Sequence, residues 1–384
     1  MKLGNREILA IAIAAIFLST AYTYVVFQPP AEEDLVFSGE VTGLSSYNQP
    51  KLDLEAKEIF DAGLSLGSTF TVITETEVFE SAILLKSYLG MFMFDIFVNV
   101  EKDGTVSIGC VGKLISAEVG STVQLVYSGV SERYMSTPLY NESYSNDVND
   151  YPSEAVFANF YKVTGGEVSP GIIYRSFSSL NPIEKDSRSS YVNALAEEVG
   201  IEYLVALSYS DASVNDAISK AEGYCIDLCK EGNYIAPSMG YLYFQQKEKD
   251  TQVLRAMIDN DGPYLIHCNI GRDRTGFVVL LLQALCGCTA EEMQECEARA
   301  FCNLYNIEYG SKEYSTVVSC TYDRNMYLIA NPDKIDDIFN IDWDNIDVSG
   351  VDTFGAAYTF CTEYLEMDYS EVDRLIDKLT DNFE

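Results

Sequence analysis

Hydrophobic and polar positions change period several times along the chain. Residues 8–27 form an uncharged apolar stretch, preceded by Lys2 and Arg6 and followed by Glu32, Glu33 and Asp34. As a helix it would be about 30 Å long, enough to span a bilayer. From Val36 to Val130 the runs are short and rich in β-formers, as in Thr69-Phe70-Thr71-Val72-Ile73-Thr74 and Val106-Ser107-Ile108-Gly109-Cys110-Val111. Asp103-Gly104 sits between apolar runs like a hairpin turn. Leu66-Gly67-Ser68-Thr69-Phe70-Thr71-Val72 and Val119-Gly120-Ser121-Thr122-Val123-Gln124-Leu125 look alike, which predicts a small barrel or sandwich with related halves. Residues 131–152, rich in Tyr, Asn, Ser and Asp, read as a linker containing the sequon Asn141-Glu142-Ser143.

Beyond the linker, Ile172-Ile173-Tyr174, Tyr203-Leu204-Val205-Ala206-Leu207 and Tyr264-Leu265-Ile266 predict strands, and the apolar run from Phe277 to Leu285 predicts a helix. Thr289-Ala290-Glu291-Glu292 reads as a capping box opening another helix. Val372, Leu375, Ile376 and Leu379 predict a terminal amphipathic helix packed on the core. The expected division is an anchor or signal peptide over 1–34, a mostly-β accessory domain over 35–130, a linker over 131–152 and a larger domain over 153–384.

With 384 residues, 47% of them hydrophobic, the chain can bury more than one core. Its net charge of −34 argues against nucleic acid as a partner. Basic residues before the apolar stretch and acidic ones after it place the body of the protein outside the cytoplasmic membrane, anchored by that segment. If Ser19-Thr20-Ala21 marks a cleavage site, the protein is instead secreted.

The densest chemistry lies in His267-Cys268-Asn269-Ile270-Gly271-Arg272-Asp273-Arg274-Thr275-Gly276, between a predicted strand and a predicted helix. Backbone N–H groups, unhindered at Gly271 and Gly276, would converge there with a helix N-terminus on an anion. A thiol in such a place ionises readily, which makes Cys268 a nucleophile. Arg274 has the planar fork that matches two phosphate oxygens, and Thr275 can hydrogen-bond the sulfur. A guanidinium at ~4 Å contributes on the order of 4 kcal/mol at an effective dielectric of 20, and charge further than about 8 Å away is screened, so the acidic surface does not repel the substrate.

This pattern resembles the signature of the protein tyrosine phosphatase superfamily. Gly271-Arg272-Asp273-Arg274-Thr275-Gly276 is similar to the GKDRTG of its bacterial and archaeal tyrosine phosphatase-like branch, with Arg272 in place of lysine. Asn159-Phe160, Gly165-Gly166 and Pro170-Gly171-Ile172-Ile173-Tyr174-Arg175-Ser176 resemble that branch's opening element, with Tyr161 where arginine is common. The resemblance spans about 155–384 and implies an α/β fold, a parallel-rich central sheet flanked by helices. It also implies hydrolysis of phosphotyrosine, phosphoserine or phosphothreonine, or of phosphoinositides. A phosphorylated protein or a phosphoinositide is then the expected partner. Arg272 would keep the charge associated with a second phosphate contact.

In-line attack by Cys268 would give a cysteinyl-phosphate that water hydrolyses, with Arg274 and the loop donors of Asn269, Ile270, Gly271, Arg272, Thr275 and Gly276 stabilising the transferring charge. No metal or other cofactor is required. The resemblance favours Asp273 as general acid; Asp211, after the strand 203–207, is the competing candidate. Arg175 is expected to orient the loop through carboxylate or carbonyl contacts, and Arg188 to be exposed. His267, the single histidine of the chain, points to the opposite strand face from Cys268, so a Cys–His dyad is disfavoured and a buried supporting role is expected.

Ten cysteines include Cys225 and Cys229, and Cys286, Cys288, Cys296 and Cys302, in stretches that read as helical. Small buried hydrophobes are the plain reading; disulfide pairs cannot be assigned from spacing, and structural zinc fits poorly. Two further readings differ in class: a catalytically silent phosphate-binding module, disfavoured by the intact Cys268, Asp273 and Arg274, and a rhodanese-like sulfur transferase, disfavoured by Asp273-Arg274-Thr275-Gly276. Within the phosphatases, inositol-polyphosphate or phosphoinositide hydrolysis is the rival.

Overall fold

The structure, a computed structural model, describes residues 35–45, 48–86, 91–136, 144–181, 187–343 and 345–380. The apolar stretch 8–27 and the sequon 141–143 lie outside them. Among the described residues no helix is long and apolar enough to cross a membrane.

The first half of the β pattern closes on itself. Strands β1 (Val36–Leu44), β2 (Pro50–Glu55), β3 (Ser68–Ile73), β4 (Val78–Leu85), β5 (Ile96–Val100), β6 (Thr105–Cys110) and β7 (Thr122–Val130) form a barrel in the order β1-β2-β6-β5-β4-β3-β7, with β7 paired back to β1. Closure leaves no sheet edge to protect. The two look-alike runs fall on adjacent antiparallel strands, with Val72 opposite Leu125, and their glycines share one backbone state: Gly67 at φ 91° and Gly120 at φ 92°. Asp103-Gly104 turns β5 into β6, Gly104 taking φ 90°. The core of the barrel includes Val41, Leu52, Phe70, Val72, Leu84, Val98, Ile108 and Leu125.

The second half is α/β. A five-stranded sheet runs β11-β10-β12-β9-β8, comprising β8 (Tyr161–Lys162), β9 (Ile173–Ser176), β10 (Tyr203–Ala206), β11 (Tyr234–Ile235) and β12 (Tyr264–His267). The pairs of β9, β10, β11 and β12 are parallel, and β8 is an antiparallel edge. Successive strand residues feed two different cores, as the pleat requires. Leu204, Ala206 and Leu265 pack against helices Arg188–Val199, Asp211–Lys220 and Tyr224–Glu231. Tyr203, Val205, Tyr264 and Ile266 pack instead against helices Lys247–Asp259, Asp273–Leu285 and Tyr369–Thr380. Helix Asp273–Leu285 is apolar all round and buried throughout from Thr275 on, so it runs through the interior.

Two readings of the sequence need correcting. Arg188 is not exposed: it is 4% accessible, donates to the carbonyls of Phe157 and Ser145, and its guanidinium lies 4.3 Å from the Phe157 ring centroid and 4.9 Å from that of Tyr151. Rings from separate segments replace the water that a surface arginine would keep. Cys286 and Cys288 are not helical: helix Asp273–Leu285 ends at Cys286, and Gly287 reverses the chain at φ 70°. The helix that follows, Ala290–Tyr305, has the capping box at Thr289 and Glu292. All ten cysteines are free thiols.

Candidate active site

Strand β12 delivers Cys268 to the carboxyl edge of the sheet, and helix Asp273–Leu285 leaves from the same loop, so the thiol faces the first turn of a helix. The turn between them depends on Gly271. At φ 69°, a Cβ there would fall 2.0 Å from the Ser176 carbonyl oxygen, so the loop lies flat on the neighbouring strand only with glycine.

Buried polar side chains hold the loop backbone from outside. Asn159 Nδ2 donates to the carbonyls of Ile270 at 3.1 Å and Gly271 at 3.4 Å, while Arg175 Nη2 donates to Gly271 O at 3.1 Å and Arg272 O at 3.4 Å. With these carbonyls turned outward, the N–H groups are left to the concave side. Arg175 is fully buried and pairs through Nη1 with Glu297 Oε1 at 3.2 Å. Burial pushes the Glu297 carboxyl up, to about 7, although Arg175 opposes this. Glu297 also crowds the helix start: a Cβ on Gly276 would meet its Oε2 at 2.4 Å.

Burial alone would raise the Cys268 thiol. Arg274, together with the hydroxyl and backbone N–H of Thr275, outweighs burial and Asp273 and holds it below the ordinary thiol value. Thr275 Oγ1 is buried and has no nitrogen or oxygen partner, which leaves its hydroxyl to the sulfur. Arg274 Nη1 donates to Met239 O at 2.9 Å, and its guanidinium lies 5.4 Å from the ring of Tyr241, which is 66% exposed. Residues 207–209 anchor the segment that accepts from Arg274, Tyr209 O and Leu207 O taking Ser238 N and Met239 N. Asn269 is exposed at the mouth, with Ser208 Oγ 2.8 Å from its Oδ1.

His267 lies on the other face of β12, fully buried. Its Nδ1 donates to Cys268 O at 2.9 Å and its Nε2 accepts from Ser179 Oγ at 3.1 Å. Burial lowers it to about 4, so the ring is neutral at physiological pH. Asp273 is the first residue of the helix, and both its carboxylate oxygens are 3.1 Å from Arg272 Nε. Arg272 is turned inward, 8% exposed, with Nη1 on Tyr305 Oη at 3.1 Å and its guanidinium 4.7 Å from the Phe301 ring. Asp211 sits exposed on the first turn of its helix, 3.2 Å from the Tyr234 hydroxyl. The segment 236–242, which faces Arg274, contains no carboxylate.

The structure thus brings residues 267–276 and Arg175 together, and turns Asp211 towards Tyr234. Sequence reasoning missed Glu297, the Tyr305 hydroxyl and the buried Tyr243, whose phenol lies in the electrostatic field of Asp273, Glu297, Arg274 and Cys268. None carries a local signal, because each reaches the site only through packing. Asn159 did carry one, standing in the opening element.

Residues 158–295 match the model of the tyrosine phosphatase family. No curated protein matches the chain. Among solved structures, the core catalytic domain of the PP-IP phosphatase SIW14 from S. cerevisiae, in complex with citrate, is 17% identical. That match covers 46% of this chain and 93% of the other, with a TM-score of 0.27. A second structure of the Siw14 catalytic core is 16% identical over 50% and 96%, at 0.26. An uncharacterized conserved protein from Thermotoga maritima is 15% identical over 26% of this chain, at 0.22, and the chain spans only 38% of its length. Over residues 158–295, which hold Cys268, Arg274 and Arg175, the chain is similar to the tyrosine phosphatase family, and that match and the geometry of the site support hydrolysis of phosphate monoesters.

Proposed function

We propose that the protein is a cysteine-dependent phosphomonoesterase whose preferred substrate is phosphotyrosine. The observation that carries the reading is the Cys268 thiol, held below its ordinary pKa at a helix N-terminus by Arg274 and Thr275. Cys268 Sγ attacks phosphorus in line, the P–O bond to the leaving group breaks, and the leaving oxygen takes a proton from Asp273. Water then attacks the cysteinyl-phosphate and releases phosphate and thiolate, Asp273 accepting the water proton. Arg274 exchanges its contact with Met239 O for the phosphoryl oxygens, whose charge it and the loop N–H groups stabilise.

Asp273 is preferred to Asp211 because it stands on the loop itself, whereas Asp211 is exposed on the first turn of another helix, beside the Tyr234 hydroxyl. The inward turn of Arg272 supports substrates with one phosphate over polyphosphorylated inositols, since this cation is occupied by Asp273 and Tyr305. Exposed Tyr241 beside Arg274 supplies an apolar face for an aryl group. The basic and acidic flanks of residues 8–27 support placement outside the cytoplasmic membrane.

The test is turnover of p-nitrophenyl phosphate, phosphopeptides and phosphoinositides by the full chain beside Cys268→Ser. The expected result is activity highest on phosphotyrosine peptides and absent in the variant. A wild type that binds phosphate without turning it over would overturn the enzyme reading and leave a phosphate-binding module. Faster hydrolysis of phosphoinositides than of phosphotyrosine peptides would overturn the substrate assignment alone.

A further inference from the structure

We propose that the β-barrel is a working part of the phosphatase site: through Phe92 it fixes Arg272, and through Arg272 it positions the carboxyl group of Asp273. Neither residue 92 nor the barrel touches the reacting atoms, so Phe92 is a positioning residue. The inference rests on the reading of Asp273 as general acid.

The barrel is irregular at one pair of strands. Its strand pairs are antiparallel except β4 with β5, which are parallel. Parallel neighbours cannot be joined by a tight turn and need a crossover. Among the described residues between them, the segment 91–95 is buried outside the barrel core: Met91 and Phe92 are 1% exposed and Phe94 is 4% exposed. Asp95 locks it in place. One of its oxygens takes Arg133 at 2.9 Å and Arg324 at 3.0 Å, and Arg324 also donates to Met93 O. Phe94 stacks on Trp343 at 4.8 Å and 12°.

Phe92 then starts a column of contacts that ends at the loop. Its ring stacks on Phe301 at 5.3 Å and 29°; the guanidinium of Arg272 lies 4.7 Å from the centroid of Phe301; Arg272 Nε is 3.1 Å from both oxygens of Asp273. A small cavity is lined by Phe92, Met93 and Phe94 on one side and by Arg272, Asp273 and Glu297 on the other. A guanidinium on a ring is oriented by the ring plane, and Phe92, with Tyr305 at 6.2 Å, is one of the rings packed against Phe301 that hold that plane. Loss of the Phe92 ring lets Arg272 tilt, and the proton on Asp273 is no longer aimed at the leaving oxygen. Orientation of this kind governs proton transfer far more than binding.

The experiment separates proton delivery from folding by leaving group. Full-length wild type, Phe92→Leu, Phe92→Tyr and Asp273→Asn are compared on p-nitrophenyl phosphate, whose leaving group needs little protonation, and on phenyl phosphate, whose leaving group needs it. Phe92→Leu is expected to lower kcat on phenyl phosphate about tenfold, part of the roughly 10²–10⁴-fold a positioned acid supplies, with KM unchanged. On p-nitrophenyl phosphate it stays within about twofold of wild type, and Phe92→Tyr, which keeps the ring, matches wild type on both. Asp273→Asn loses the phenyl phosphate reaction more deeply. If Asp273→Asn shows no dependence on leaving group, the acid assignment falls and this proposal with it. If Asp273→Asn shows it but Phe92→Leu loses both substrates equally or neither, the barrel's positioning role alone is overturned. Should Phe92→Leu not fold, Phe92→Met, closer in volume, is read in the same two arms.

Discussion

At the scale of single residues, the site is built by opposed shifts. Glu297 and His267 are both buried beside the loop, and burial favours the neutral form of each. The Glu297 carboxyl rises to about 7, so between about 4.5 and 7 the folded protein holds a proton that the unfolded chain has lost, and stability falls as pH rises. His267 drops to about 4, so between about 4 and 6.5 the unfolded chain holds the extra proton and stability rises with pH. The two slopes largely cancel in the wild type, each being on the order of 3 kcal/mol over its window. Glu297→Gln should therefore make Tm climb with pH from 4.5 to 6.5 more steeply than wild type, and His267→Gln should make it fall over the same range. Thermal unfolding at stepped pH checks this; parallel curves for the three proteins would show that neither shift exists. Cys268, Arg274 and Thr275 were legible as a spacing because their chemistry is local to one loop. Glu297 was not, since a glutamate on an amphipathic helix looks solvated until Arg175 is seen against it.

At the scale of elements, the strand, loop and helix around Cys268 were readable from an apolar run, two glycines and a second apolar run. What could not be read was how tightly the loop lies on β9. Gly271→Ala tests that closeness: a Cβ 2.0 Å from Ser176 O must displace the loop. A shift near 1 Å at a reacting centre costs on the order of 10²-fold, so kcat on p-nitrophenyl phosphate should drop about that much while circular dichroism stays native. Unchanged kcat would mean that the loop has slack. In the barrel, the β5–β6 turn was legible from Asp103-Gly104, because a hairpin is a local event. The parallel β4–β5 pair was not, because its crossover is stabilised by residues more than two hundred positions away, Phe301 and Arg324 among them.

At the scale of the whole molecule, the composition suggested two bodies joined by a linker, and the structure adds a buried ionic lock between them. Asp95 leaves the barrel to meet Arg324, which is 3% exposed. Burial raises the Asp95 carboxyl, Arg133 and Arg324 lower it more, and the balance lies below the ordinary value. Its contribution is therefore present at neutral pH and lost as pH falls into the acid range. Removing one partner of a buried pair leaves the other charge uncompensated, at a cost of roughly 3–5 kcal/mol. Asp95→Ala should lose about that much in urea unfolding at pH 7, and the two halves should then unfold in separate steps; one unshifted transition would show the lock to be idle. Burial pushes Cys110, Cys225, Cys229, Cys286, Cys288 and Cys361 to about 12 and raises Cys296, Cys302 and Cys320 as well, whereas Cys268 alone is held low. Towards peroxide or an alkylating agent, Cys268 should therefore react ahead of the other nine thiols, and mass spectrometry of partly modified protein should show loss of activity in step with modification at Cys268 alone.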